Sequence, residues 1–296
     1  LTNKTVSDMI SRYLSEHPDT IEYEKTVLEF WRGKLGRIKI PKLRKAHVIE
    51  ARKALQGQVV SSGRTKGAPL ANATINRRVA LLSRVCQIAI EQWDWMRDNP
   101  CHIKALPEDN QRNRLLSAEE RIALAQALKD HPEKSLLGFV LVAEATGMRA
   151  GEIRDLTWDN IDLETGLLQI HRSKNGEKRA VAVGGEALIW LKEWRRHNAL
   201  KFGGYVFGNS RTQTAPYNYI AHWSAVKKTA GIEDLRFHDL RHGFVTAALR
   251  AGMNPVMVQL VSGHKSASML KRYAHLVGDV ALQVSQAVEG GRNGNS

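Results

Sequence analysis

Apolar residues recur at every third or fourth position through the first hundred residues, and this spacing constrains the fold more than any other feature of the sequence. Such spacing is typical of amphipathic helices that bury one face. It predicts helices within residues 4–56 and a longer helix over Asn72–Trp95, with Pro100 as its terminator. No alternation typical of strands precedes residue 107. Residues 1–106 are therefore predicted to form a compact all-helical domain.

The remaining residues predict a second domain that begins after a charged, apolar-poor linker at residues 107–114. Ser117 and Glu120 match a capping box, in which the two side chains satisfy free backbone groups at a helix start. The second domain is expected at 115–285, followed by a flexible tail at 286–296. Helical patterns occupy residues 117–129, residues 133–146 and much of the chain from residue 186 onward.

A short stretch between these helical patterns predicts a small antiparallel sheet. Asn175-Gly176 is a strong signal for a hairpin turn. The expected strand residues are Trp158, Ile161 and Leu163, then Leu167–His171, with Ala180–Val183 as the partner after the turn. The expected fold class is mainly α, with a helical N-terminal domain and a mostly helical C-terminal domain that carries this sheet.

The charge of the chain narrows the classes of partner. Among 296 residues there are 44 Lys and Arg against 30 Asp and Glu, a net charge of +14, and residues 1–106 hold +9 of it. A strongly basic chain favours a polyanionic partner, most often nucleic acid. No apolar run approaches a membrane span, no secretory signal is visible, and Cys86 and Cys101 are too few for a disulfide framework. A cytoplasmic, nucleoid-associated location is expected.

Two patches in the first part of the second domain carry candidate phosphate-binding cations. Arg149 follows Gly147 at the expected start of a helix, where a guanidinium and free backbone N–H groups suit an anion. Lys174 lies at the hairpin turn, where a long ammonium can reach into a groove. Each residue alone also fits an ordinary solvated surface position.

Two further patches lie nearer the carboxyl end. His238 and Arg241 are three residues apart near the start of a helix that Asp239 is expected to cap and that runs to Arg250. A zinc site at His238 and His242 is a weaker alternative, because neither cysteines nor a third carboxylate accompany them. Asn254 is expected to cap a short helix that ends at Ser262-Gly263, ahead of His264 and of a helix bearing Tyr273.

Taken together, these patches resemble the tyrosine recombinase (phage integrase) family in order and approximate spacing. The matching stretches are the Thr-Gly-Met-Arg-x-Gly-Glu segment, the His-x-Leu-Arg-His segment and the nine-residue interval from Gly-His to Tyr. The resemblance spans the chain and implies a DNA breaking-rejoining fold, with a core-site DNA-binding domain at 1–106 and a catalytic domain at 115–285. The implied catalytic residues are Arg149, Lys174, His238, Arg241, His264 and Tyr273.

The chemistry of these residue types agrees with that implication. Two guanidinium groups and an imidazole can stabilise the charge that develops on a phosphate under attack. Tyr273 is the expected nucleophile, His238 the acid–base group and Lys174 the general acid for the leaving 5′ oxygen, with Glu152 orienting the pocket. The family implies a 3′-phosphotyrosyl intermediate and a Holliday junction, and this chemistry requires neither metal nor ATP.

The resemblance also implies partners. Double-stranded DNA is the expected substrate, held by the helical domain. Asn76, Arg77 and Arg78, near the start of the long helix, are the expected DNA contacts, and a solvated helix start is the alternative explanation of these polar residues. Four protomers are expected on two duplexes, and the segment Val280–Val288 is expected to pack on a neighbouring protomer or on its own domain. Accessory DNA-bending or directionality factors are possible further partners. An N-terminal arm-binding domain, present in some relatives, is not evident. The resemblance favours a phage or mobile-element integrase.

Three alternatives remain at this point. A type IB topoisomerase shares the chemistry but acts on one duplex. A catalytically silent DNA-binding relative would keep the fold without cleavage. A two-metal nuclease fits less well, because no cluster of carboxylates stands out.

Overall fold

The computed structural model describes residues 3–60, 66–108, 114–171 and 178–263. Its contacts divide the chain into two compact units, Leu1–Asn110 and Gln111–Ser296. Each unit encloses a hydrophobic core of its own. In these ranges no helix is both long enough and apolar enough to cross a bilayer.

The described residues of the first unit form four α-helices, where the apolar periodicity predicts them. Thr5 begins the first with a capping box, in which the backbone N–H and the hydroxyl of Thr5 donate to Asp8 and the Asp8 N–H donates back. Fully buried Trp31 donates its indole N–H to the carbonyl of Arg78, which joins the second helix to the fourth. The four helices are α1 (Val6–Glu16), α2 (Glu22–Leu35), α3 (Lys45–Gln56) and α4 (Asn72–Glu91).

The end of α4 differs from the prediction. The helix stops at Glu91 rather than Trp95, and Pro100 is not its terminator. Asp94 takes a left-handed conformation with φ of 52°. This turn buries Trp93 in the core, where its indole N–H donates to Glu16 at 2.9 Å. Burial of the large Trp93 side chain outweighs the local preference for helix. The spacing of apolar residues alone therefore does not predict where α4 ends.

The second unit is mostly helical. Ser117 and Glu120 form the predicted capping box at the start of its first helix. Asn254 caps the last described helix, which ends at Gly263 as predicted. The helices are α5 (Ala118–Asp130), α6 (Ser135–Thr146), α7 (Ala150–Arg154), α8 (Gly185–Asn198), α9 (Ile220–Thr229), α10 (Phe237–Arg250) and α11 (Pro255–Ser262).

A three-stranded antiparallel sheet lies between α7 and α8 in the sequence, with strand order β1-β2-β3. Its strands are β1 (Ile161–Asp162), β2 (Leu167–Ile170) and β3 (Arg179–Ala182). Leu168 pairs with Val181 across β2 and β3, and both side chains are buried. Trp158, predicted in a strand, begins a 3₁₀ turn instead, and β3 begins one residue earlier than predicted. The turn residues Asn175-Gly176 lie outside the described residues.

The packing of four elements brings distant segments of the second unit together. α10 packs against α6, and α11 packs against both α10 and β3. The turn between α6 and α7 is tight because Gly147 has a φ of 63° and the Phe244 ring of α10 lies against it. A Cβ atom at residue 147 would lie 2.4 Å from that ring. The expected fold class, mainly α with a small antiparallel sheet, is confirmed.

Candidate active site

Arg149 lies at the point where three segments of the second unit meet. It is the residue before α7, so the prediction that it starts a helix is correct. Its guanidinium donates one hydrogen bond to Glu152 at 2.9 Å and another to the carbonyl of Gly263 at 2.5 Å. The side chain is 24% exposed. Toward the described part of the chain, these two bonds use two of the five N–H groups of the guanidinium, which leaves donors that could serve an anion.

Glu152 supplies the negative charge at the centre of this arrangement. Its side chain is only 5% exposed, and both carboxylate oxygens accept hydrogen bonds. The backbone N–H of Arg149 donates to the same carboxylate at 2.9 Å. Burial raises the pKa of Glu152, but the hydrogen bonds from Arg179 and Arg149 outweigh burial and hold the pKa below its ordinary value. Glu152 is therefore an ionised group that orients Arg149.

Arg179, at the start of β3, was not among the residues predicted from the sequence. Its two terminal nitrogens donate to the two oxygens of Glu152 at 3.0 and 2.7 Å, a bidentate pair. Its Nε donates to the carbonyl of Val261 at 3.1 Å. Two features of the sequence point toward Arg179: it is a cation beside the predicted hairpin strand, and the acidic Glu152, once buried, requires a cationic partner.

Arg241, on α10, contacts the same turn between α6 and α7. Its side chain is almost wholly buried at 2% exposure, and it donates to the carbonyl of Gly147 at 2.7 Å. The helix begins at Phe237, two residues before the predicted cap Asp239. Asp239 lies inside the first turn and caps it by accepting the backbone N–H of Arg236 at 2.8 Å.

His238 lies one residue inside α10 and is exposed. Its ring meets that of His242 edge to face, with centroids 4.9 Å apart. Among the described residues, no three His, Cys, Asp or Glu side chains cluster closely enough to hold a metal ion. The zinc alternative thus finds no support in that part of the chain.

Three of the predicted catalytic residues, Lys174, His264 and Tyr273, lie outside the described residues, as does the segment Val280–Val288. Gly263 is the last described residue and directly precedes His264 in the sequence. The structure thus brings Arg149 and Arg241 to one turn and gives His238 a position on the helix that carries Arg241.

The predicted DNA contacts at the start of α4 differ in their surroundings. The Asn76 amide donates to the Leu106 carbonyl and to Glu108, and its oxygen accepts the Leu106 N–H. Arg78 is half-buried and donates to Gln58. Arg77 is exposed and lines a cavity of about 360 Å³ with Arg84.

The charges of the second unit favour an anionic ligand at the α6–α7 turn. Arg149, Arg179 and Arg241 reach this region, whereas Glu152 is the acid that bonds directly to two of them. Guanidinium groups bind phosphate oxygens through paired hydrogen bonds. A turn built in this way can hold a phosphate and stabilise added charge on it.

Comparison with known proteins assigns the family. The model of the phage integrase family matches residues 109–278, and the chain belongs to that family. The shufflon-specific DNA recombinase of Escherichia coli is 33% identical over 214 residues, which cover 71% of this chain and 53% of that protein. The chain spans about half the length of such curated relatives. The resemblance inferred from the motifs is confirmed.

Solved structures share the fold at low sequence identity. The Tn1549 transposon integrase, in complex with transposon right end DNA, matches with a TM-score of 0.76 and 20% identity, over 96% of this chain and 99% of that chain. A lambda integrase tetramer bound to a Holliday junction matches with a TM-score of 0.65 and 18% identity, over 89% of this chain and 78% of that chain.

Proposed function

We propose that this chain is a site-specific DNA recombinase that cleaves and rejoins DNA through a 3′-phosphotyrosyl intermediate on Tyr273, without metal or ATP. Membership of the phage integrase family supports the proposal. The observation that carries it is the hydrogen bond from Arg241 to the Gly147 carbonyl, two residues before Arg149. Arg241 thereby contacts, across 94 positions of the chain, the turn that also carries Arg149. Two guanidinium groups near one turn suit the binding of a single phosphate.

The proposed cleavage exchanges one phosphorus–oxygen bond for another. The Tyr273 oxygen bonds to the scissile phosphorus as the bond from phosphorus to the 5′ oxygen breaks. His238 takes the phenolic proton, and Lys174 gives a proton to the departing 5′ oxygen. Arg149, Arg241 and His264 donate to the non-bridging oxygens, where charge develops. Attack by a 5′-hydroxyl on the phosphotyrosine reverses these changes and rejoins DNA.

The two units take different parts in this proposal. Residues 1–106 form the core-site DNA-binding domain, residues 115–285 the catalytic domain and residues 286–296 the tail. Arg77 is the best placed of the three predicted DNA contacts because it is exposed, whereas the Asn76 amide is engaged by Leu106 and Glu108. Strand exchange joins two duplexes, so four protomers act together, in the cytoplasm and on the nucleoid. Accessory DNA-bending or directionality factors are possible further partners.

A covalent adduct tests the proposal. Duplexes bound by the chain would be selected from a randomised library, nicked beside the cleavage site so that religation fails, and incubated with protein in chelator. We expect a protein–DNA band that survives denaturant, because the phosphotyrosine is a covalent bond. Tyr273→Phe should abolish the band, since it lacks the attacking oxygen.

The matched control is Tyr219→Phe, which removes a hydroxyl from another tyrosine of the second unit while its ring still packs on Phe139. This variant should form the adduct at the wild-type level. An adduct that persists in Tyr273→Phe would assign the nucleophile to another residue. Relaxation of one supercoiled duplex without exchange between two would favour a topoisomerase.

A further inference from the structure

Arg179 joins the two segments that carry the proposed catalytic groups. Through Glu152 it reaches the start of α7, which holds Arg149. Through the Val261 carbonyl it reaches the end of α11, which directly precedes His264. A single side chain on β3 is therefore bonded both to Glu152 of α7 and to the carbonyl of Val261 on α11.

The geometry of Arg179 differs from that of a phosphate ligand. Each of its three nitrogens donates to a protein acceptor, and its side chain is 11% exposed. Arg149 is more exposed, at 24%, and commits only two donors to these partners. The guanidinium of Arg179 is thus directed at Glu152 and Val261, whereas Arg149 retains donors for DNA.

The charges give Arg179 a further effect on Arg149. With Arg149 as its sole partner, the buried Glu152 carboxylate would cancel the positive charge of Arg149. A second guanidinium, bound to both oxygens, leaves the group of three with a net charge of +1. A buried carboxylate also needs such pairing to offset the loss of its hydration.

Gly263 allows the guanidinium to come this close to the end of α11. A Cβ atom at residue 263 would lie 2.8 Å from Cζ of Arg179, which is too close for contact. The Gly263 carbonyl also accepts the hydrogen bond from Arg149. The backbone just before His264 is therefore held by two arginines at once.

We propose that Arg179 is a positioning residue for the phosphoryl transfer: it holds Glu152 so that Arg149 keeps its place and its charge, and it fixes the end of α11 ahead of His264. This inference rests on the proposed function, since it assigns Arg179 a role in the same site. Arg179 acts through Arg149 and the backbone, without itself touching DNA.

Arg179→Gln tests the inference on the nicked duplex. The rate of adduct formation at saturating DNA should fall about 10- to 100-fold, the scale for residues that orient the binding groups of a charged centre. The Kd for DNA should stay within about twofold, because the phosphate ligands themselves remain. Arg196→Gln, which removes a guanidinium from an exposed ion pair on α8, is the matched control and should change neither quantity.

Three further variants separate positioning from a general loss of structure. Glu152→Gln combined with Arg179→Gln should be no slower than the worse single variant, because the two residues act as one unit. Arg179→Lys should stay slow, since an ammonium cannot bind both oxygens of Glu152. Free guanidinium at millimolar concentration should partly restore Arg179→Ala. If Arg179→Gln does not fold, the Lys and Ala variants decide the question.

The outcomes distinguish this inference from the proposed function. Wild-type protein that forms no adduct would defeat the proposed function itself. An active wild type with an equally fast Arg179→Gln or Arg179→Lys would overturn the positioning role alone. A raised Kd at an unchanged rate would make Arg179 a DNA contact, and failure of guanidinium to restore Arg179→Ala would also count against positioning.

Discussion

At the scale of single residues, Glu152 connects the stability of the second unit to its chemistry. Its carboxylate is nearly buried and accepts hydrogen bonds from two guanidinium groups and one backbone N–H. Removing one member of a buried pair leaves the others with uncompensated charge, which costs more than a surface ion pair is worth. The residue that orients the candidate phosphate ligand is therefore also one that the fold needs.

This dual role predicts a pH dependence. The pKa of Glu152 is lower in the folded protein than in the unfolded chain, because hydrogen bonds from Arg179 and Arg149 outweigh burial. Its contribution to stability is therefore complete above the unfolded pKa and is lost as pH falls through the folded pKa. Glu152→Gln should lower the free energy of unfolding by about 3 kcal/mol at neutral pH. Denaturant titrations at several pH values measure this difference.

The difference between wild type and Glu152→Gln should shrink below about pH 4.5. Glu164→Gln is the control, because the side chain of Glu164 lies exposed on the turn between β1 and β2. A wild-type-to-variant difference that stays constant from neutral to strongly acidic pH would contradict the ionised, hydrogen-bonded carboxylate.

At the scale of elements, the sequence predicted most helices because their signals are local. The cap at Asn254, Pro255 and the left-handed Gly263 gave both ends of α11, since each acts within one turn. The end of α4 escaped prediction because burial of Trp93 depends on Glu16, 77 residues away. Arg179 escaped for the same reason, since its partners lie 27 and 82 residues away in sequence. Hydrogen bonds between side chains that are distant in sequence produce no periodic pattern of residues from which they could be predicted.

The turn between α6 and α7 carries a prediction of its own. Gly147→Ala should destabilise the second unit by about 1–3 kcal/mol, because residue 147 has a positive φ and a Cβ atom would overlap Phe244. Thermal unfolding measures the change. Gly151→Ala is the matched control: it lies in α7, four residues on, with nothing within 4 Å of the new Cβ atom.

Gly151→Ala should be neutral or stabilising, because alanine favours helix over glycine. In a Phe244→Ala background, Gly147→Ala should cost only the part due to the backbone conformation, because the overlap with the ring is absent there. Equal stability of the two glycine variants would show that the turn tolerates a side chain.

At the scale of the whole molecule, the positive charge is distributed unevenly. Residues 1–106 carry a net +9 of the total +14, although they are about a third of the chain. Contacts to phosphates release counterions, so their number sets how steeply affinity falls with salt. The proposed DNA-binding domain should therefore supply much of the salt-dependent part of the affinity.

Salt titration of DNA binding checks this expectation. The logarithm of affinity should fall linearly with the logarithm of salt concentration, by about a thousandfold or more between 50 and 200 mM if six or more phosphates are contacted. Arg77→Gln should reduce the slope by about one, the value for one lost phosphate contact. Fluorescence anisotropy with a labelled duplex measures both.

Lys53→Gln is the control for charge alone, because Lys53 is an exposed cation of the same unit, on α3 and beside Glu50. It should leave the slope unchanged. A slope that does not respond to Arg77→Gln would remove Arg77 from the proposed DNA contacts.

The hydrogen bond from Arg149 to the carbonyl of Gly263 spans 114 positions of the chain. A ribosome that has made α7 has therefore not yet made one of the acceptors that orient Arg149. Polypeptides released before residue 261 lack both that acceptor and the Val261 carbonyl that Arg179 uses. An unfinished copy therefore lacks two of the backbone acceptors that hold Arg149 and Arg179 in place.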